Sequence, residues 1–246
     1  MLNLTLKFFA GNALFIFASM PAGSHQIYMA SDNFNDTIAI SSDISASAKV
    51  SANATAVQLN KQAAHFAKDY IKRNHELFEV VRKRGEKHFP MMDSIFNYYN
   101  LPVELKYLAV VESELKPTAT SHVGAKGPWQ LMPETAKVLG LKVTKKYDER
   151  TSYRRSTKAA ALYLRDLHTQ FGDWLLVLAA CNCGPGPVYA AIKKSGSRNF
   201  WKLQNYLPAE SRGHVKKFIA THYYFEGQGG VTTLTKAEMM KLMAVK

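Results

Sequence analysis

The ten residues from Trp174 to Cys183 read WLLVLAACNC and carry no charge on any face. A helix that is apolar all round has to be covered all round, so this segment is read as the central helix of the fold. The patterns about it are also helical. Residues 156–171 place Ala160, Leu164, Leu167 and Phe171 on one face before Gly172, and a long helix starting near Pro208 carries Val215, Phe218, Ile219 and Phe225. Gly184, Pro185, Gly186 and Pro187 are expected to break the central helix, with a short helix resuming over Val188–Lys194. Only Lys142–Lys146 hints at the alternation of a strand. The expectation is one all-α domain of about 170 residues, long enough to bury a core.

Ahead of that domain the composition changes twice. Lys7 precedes an apolar run from Phe8 to Met20, too short for a comfortable membrane span and followed by Ala22, Gly23 and Ser24. Residues 1–23 are therefore read as a secretory signal peptide, which places the protein outside the inner membrane, in the periplasm. Residues 24–57, rich in Ser, Ala, Asn, Asp and Thr, read as a disordered polar linker. From Gln58 helical periodicity sets in, with Leu59, Ala63, Phe66, Tyr70, Leu77 and Val81 inside and Lys68, Lys72, Arg82 and Lys83 outside. Residues 58–90 are read as a basic helical preface packed on a domain spanning 91–226, and 227–246 as a tail with no assigned role.

The most informative single residue is Glu112. Over Leu101–Leu115, at about 100° per residue, Leu101, Leu105, Leu108, Glu112 and Leu115 share a stripe roughly 80° wide. A carboxylate thus stands where a leucine belongs. Withdrawal from water penalises its charged form, and unless a cation compensates, such an acid keeps its proton near neutral pH, as a general acid must. The same placement also suits a buried structural acid tied to an Arg or to backbone amides. Glu114, about 200° further around the helix, points to solvent and makes a poor partner.

Residues 118–136, TATSHVGAKGPWQLMPETA, follow directly, with Gly124 and Gly127 framing a loop before Trp129, Gln130 and Met132. Glycine permits close approach of backbone to a ligand, and a flat ring with a nearby amide suits a sugar, although a plain helix-to-helix connection fits the pattern as well. Pro133 and Gly140 bracket a short helix. Cys181 and Cys183, the two cysteines of the chain, lie two apart in the apolar run with side chains directed apart, so they read as buried thiols rather than a disulfide. Two thiols without suitably spaced histidines are no ligand set, and no metal or cofactor is expected.

Three blocks, VVESELKP (110–117), GAKGPWQLMPETA (124–136) and AACNCGPGPV (179–188), with a weaker fourth, LPAESRGHVKKFIA (207–220), resemble the lytic transglycosylase family with the soluble-lytic-transglycosylase (goose-lysozyme-like) fold, nearest the membrane-bound lytic transglycosylase D branch. The resemblance implies a lysozyme-like helical catalytic domain. It implies that Glu112 is the single catalytic acid, protonating the glycosidic oxygen and then deprotonating the C6 hydroxyl of the sugar to leave a 1,6-anhydro end. It further implies substrate contacts from Ser121, Gln130, Met132, Asn182 and Glu210. This chain departs from the pattern at Cys181 and His214, which stand where the family commonly has tyrosines.

The net charge of +13 fits that location. Of 32 Lys and Arg, only Lys7 and Lys49 precede Gln58, so the positive charge belongs to the domain. Such a surface attracts polyanions. Nucleic acid is disfavoured by the signal segment and by the lack of a nucleic-acid motif; the resemblance implies peptidoglycan strands as partner, with an anionic membrane surface or other cell-wall enzymes as secondary ones. The expected function is cleavage of the bond between N-acetylmuramic acid and N-acetylglucosamine. A lysozyme-type hydrolase and a non-catalytic peptidoglycan-binding protein are the alternatives.

Overall fold

The computed structural model describes residues 57–244, so the expected signal segment and all but the last residue of the expected linker lie outside the described residues. In chain order the helices are α1 (Lys61–Arg73), α2 (His75–Tyr98), α3 (Tyr107–Ser113), α4 (Pro133–Val138), α5 (Tyr153–Phe171), α6 (Trp174–Cys183), α7 (Pro185–Ser195), α8 (Phe200–Leu203), α9 (Ala209–Glu226) and α10 (Lys236–Ala244). The described residues contain no strand; Val143 makes an isolated bridge to Asp148 where the sequence hinted at one.

Helix α6 is the centre, with every residue from Trp174 to Cys181 buried. Helices α5, α7 and α9 pack against it. The all-α architecture is thus organised by the one segment whose composition leaves it no solvent face. Its start is fixed by Asp173, whose Oδ1 accepts from the amides of Leu175 and Leu176 at 2.9 and 3.3 Å.

Several boundaries differ from those read in the sequence. Helix α2 runs unbroken through Pro90 to Tyr98, so the division expected between 90 and 91 falls inside a helix, and the break in the basic segment lies at Asn74. The segment is integrated with the domain: α1 lies along α9, while Phe78 of α2 stacks on Tyr224 of α9 with ring centroids 4.5 Å apart. The Gly-Pro-Gly-Pro run is not a loop. Gly184 alone leaves helical geometry, at φ +81°, and α7 begins at Pro185, where a residue without an N–H loses no helical bond.

Of the expected tail, residues 227–244 also gain a place. Asp173 Oδ2 accepts from the Lys236 amide at 2.7 Å, so one carboxylate caps both α6 and α10. Thr235 and Glu238 exchange the reciprocal bonds of a capping box, and Glu238 also accepts from Asn60 ahead of α1. The segment before α10 is buried at Thr232, Thr233, Leu234 and Thr235.

Candidate active site

Glu112 sits one residue before the end of α3. The stripe inferred over 101–115 is not one helix: a 3-10 turn occupies Val103–Lys106, α3 stops at Ser113, and Leu101 and Leu115 reach the core from either flank. The helix ends abruptly because Glu114 and Leu115 both take left-handed backbone angles, φ +57° and +58°. Two consecutive non-glycine residues in that region need outside support. Arg84 of α2 donates to the Glu114 carbonyl, and the Tyr153 hydroxyl of α5 donates to the Leu115 carbonyl at 2.5 Å. The Glu114 side chain is half-exposed and paired with Lys116.

From the other side Ser113 ties α3 to the glycine loop, its buried hydroxyl donating to the Pro128 carbonyl at 2.8 Å. The loop is pinned rather than slack. Arg150 Nη1 donates to the carbonyls of Gly124 and Leu131 at 2.8 and 2.9 Å, while its Nε and Nη2 reach Asp148 at 2.9 and 2.8 Å. Those guanidinium bonds hold the Asp148 carboxyl below the usual range. Trp129, expected as a sugar platform, is instead fully buried, donating to Thr157 Oγ1 at 2.9 Å and meeting Phe96 edge-on. Large apolar rings are drawn to a core first, and the loop backbone turns this one inward.

Gln130, at φ +44°, spends both amide hydrogens on the loop, donating to Ala119 and Gly127 carbonyls at 3.0 and 2.9 Å, which leaves its carbonyl oxygen as the remaining polar atom. Gln130, Glu112, Asn182 and Glu210 line one cleft of about 150 Å³, together with Val111, His214 and Lys217. Asn182, near the end of α6, accepts from Ser211 of α9 at 2.7 Å. Ser121 and Met132 are not among the lining residues. The Ser121 hydroxyl accepts from the Ala125 amide at 3.0 Å and closes the loop's own turn, and Met132, half-buried, precedes the first turn of α4.

The chief residue that sequence reasoning left without a role is His214. Its Nε2 is hydrogen-bonded to Glu112 Oε1, with both side chains only 8% exposed. Glu210, His214 and Lys217 follow each other by four and three along α9, so one helix face delivers all three. That spacing is visible in the sequence, but nothing there says which face meets Glu112. Burial pushes the Glu112 carboxyl up, opposed by His214 and then reinforced by Glu210, with Lys217 opposing more weakly. The contact with His214 opposes the rise and does not overcome desolvation. Cys181 lies in the core, not among the lining residues; burial, and then the nearby Glu112 charge, raise its thiol well above the ordinary value, so it stays protonated. Both cysteines are free. The site therefore offers a buried acid whose desolvation favours its protonated form, in a polar cleft whose one other lining carboxylate among the described residues, Glu210, is exposed.

Residues 94–204 match the family described as the Transglycosylase SLT domain. Over 153 residues the chain is 39% identical to the membrane-bound lytic murein transglycosylase D of Escherichia coli (strain K12), in a match covering 60% of this chain and 33% of that protein. The chain thus spans about a third of the length of that relative. Among solved structures it is similar to the 70 kDa soluble lytic transglycosylase SLT70 from Escherichia coli, with a TM-score of 0.53 and 23% identity over 72% of this chain and 32% of that one. An inactive mutant of the lytic transglycosylase Slt from Pseudomonas aeruginosa gives a TM-score of 0.51 at 23% identity, over 59% of this chain and 25% of that one. At those identities the structural likeness shows the fold, which is the all-α lysozyme-like one.

Proposed function

We propose that this chain, whose residues 94–204 are a Transglycosylase SLT domain, is a peptidoglycan lytic transglycosylase that cleaves between N-acetylmuramic acid and N-acetylglucosamine. The observation that carries the reading is Glu112, buried, raised towards its protonated form and facing a polar cleft. In the first step its proton passes to the glycosidic oxygen as the C1–O bond breaks, with the sugar's own N-acetyl group stabilising the cation. In the second the C6 hydroxyl attacks C1 and returns its proton to the Glu112 carboxylate, leaving a 1,6-anhydro end and the acid restored. Gln130 and Asn182 offer the amide contacts of a sugar site, and the basic surface suits the carboxylates of stem peptides. The same reading puts the protein in the periplasm, with an anionic membrane surface as a secondary partner.

A second reading has one observation in its favour. Glu210 lines the cleft with Glu112, and two carboxylates flanking a glycosidic bond are the usual equipment of a hydrolase. Mass spectrometry of fragments released from purified sacculi separates the two. Ends lighter by one water than their reducing counterparts support the transglycosylase, and reducing ends the hydrolase. Glu112→Gln, which keeps the shape but cannot exchange a proton, is expected to abolish release while sacculi are still bound. Undiminished release by that variant would sink the assignment.

A further inference from the structure

Glu112 and His214 come from α3 and α9, and their side chains bond to each other on the cleft lining. A carboxyl and an imidazole in such contact share three protonation levels. The middle one, holding a single proton beyond carboxylate and neutral ring, has a neutral form and an ion-pair form that differ only by a proton's passage between Oε1 and Nε2. The other groups around the pair leave that exchange open. Glu210 and Lys217 on α9 are of opposite sign, the Cys181 thiol on α6 is held protonated, and Gln130 and Asn182 are neutral amides.

We propose that His214 is a positioning residue that shares one proton with Glu112, and that only the singly protonated pair carries glycan cleavage through both of its proton steps. The inference rests on the reading of Glu112 as acid and then base. An empty pair has no proton for the glycosidic oxygen. A doubly protonated pair can donate, but it leaves the Glu112 carboxylate facing an imidazolium, and that ion pair weakens it as the base that must take the C6 proton. The singly protonated pair donates, leaves a carboxylate beside a neutral ring, and recovers the same proton in the second step. A tyrosine, the residue the resembled family commonly has here, titrates too high to act this way, so the resulting pH response belongs to the histidine of this chain.

The test is the pH dependence of release from sacculi by the full chain, alongside Glu112→Gln, His214→Gln and His214→Tyr. The native protein is expected to show activity bounded on both the acid and alkaline sides. Either His214 variant is expected to keep the alkaline fall, which belongs to Glu112, and to lose the acid one, at a reduced plateau. Both limbs surviving in His214→Gln, or no acid limb in the native protein, would overturn the proposal. Titration of the His214 ring by NMR needs no turnover and no His214 variant: its midpoint should drop in Glu112→Gln, because the carboxylate that favours the imidazolium has gone, and an unmoved midpoint also overturns the proposal. Full release by Glu112→Gln would instead overturn the reading of Glu112 as the acid, an outcome the ring titration keeps distinct.

Discussion

Gly127 lies so close to Arg150 that a β-carbon on the glycine would fall 1.8 Å from the Arg150 carbonyl oxygen, and Gly127 itself holds φ at +85°. Both space and backbone angle exclude any other residue. Gly127→Ala is expected to cost about 3 kcal/mol or more, since it adds an impossible contact to a strained angle. Urea denaturation checks this, and a loss under about 1 kcal/mol would show that the loop has room to move. Gly124, also at positive φ but with open space around it, should tolerate alanine better.

Trp129 tests whether burial or ligand contact explains the aromatic residue of the loop. Trp129→Phe removes the donor to Thr157 and part of a filled core volume, and is expected to cost about 2–3 kcal/mol. Because the ring is fully buried, the apparent KM for glycan in the folded variant should not change. A raised KM with unchanged stability would restore the sugar-platform reading.

Asp173 holds two helix starts with one carboxylate. Asp173→Ala removes caps from both α6 and α10 and is expected to cost about 2–3 kcal/mol, at roughly 1 kcal/mol or more per cap. Asp173→Asn, which keeps one acceptor oxygen, should lose about half of that. Thermal unfolding compares the two, and proteolysis near residue 230 should rise in the alanine variant.

His222 makes stability depend on pH through burial. Desolvation takes its ring from 6.5 to about 4, and its Nδ1 is bonded to Thr232 Oγ1 at 3.2 Å in the segment leading to α10. Between those values the unfolded chain binds a proton that the folded chain refuses. The contribution is therefore complete above about pH 6.5 and is lost as pH falls towards 4, by about 3 kcal/mol over the window. Urea midpoints measured across that range should decline, and His222→Asn should flatten the decline. An unaltered slope in the variant would place the acid sensitivity elsewhere.

How much was legible depends on what each feature rests on. The bounds of α6 could be read directly because ten uncharged residues admit one solution, and the helix from Pro208 because its period is long and regular. The stripe through Glu112 pointed to a buried acid even though the helix beneath it is broken after Ser113. A pattern records which residues are buried, and a turn at Glu114 and Leu115 can return Leu115 to the core without disturbing it. The Gly-Pro-Gly-Pro run misled, because breaker residues mark a change of direction and do not say whether a helix restarts at once.

The sequence by itself determined an all-α domain about a central apolar helix, a carboxylate forced into an apolar stripe, and a glycine loop beside it, since each follows from local period, volume or backbone freedom. Only the tertiary structure decided that Arg150 pins that loop, that Trp129 turns inward, and that Glu210, His214 and Lys217 share a cleft with Glu112, His214 bonding to it from 102 positions along the chain. Those outcomes depend on which helix faces pack together, a balance of buried area over the whole chain that no short stretch of residues encodes.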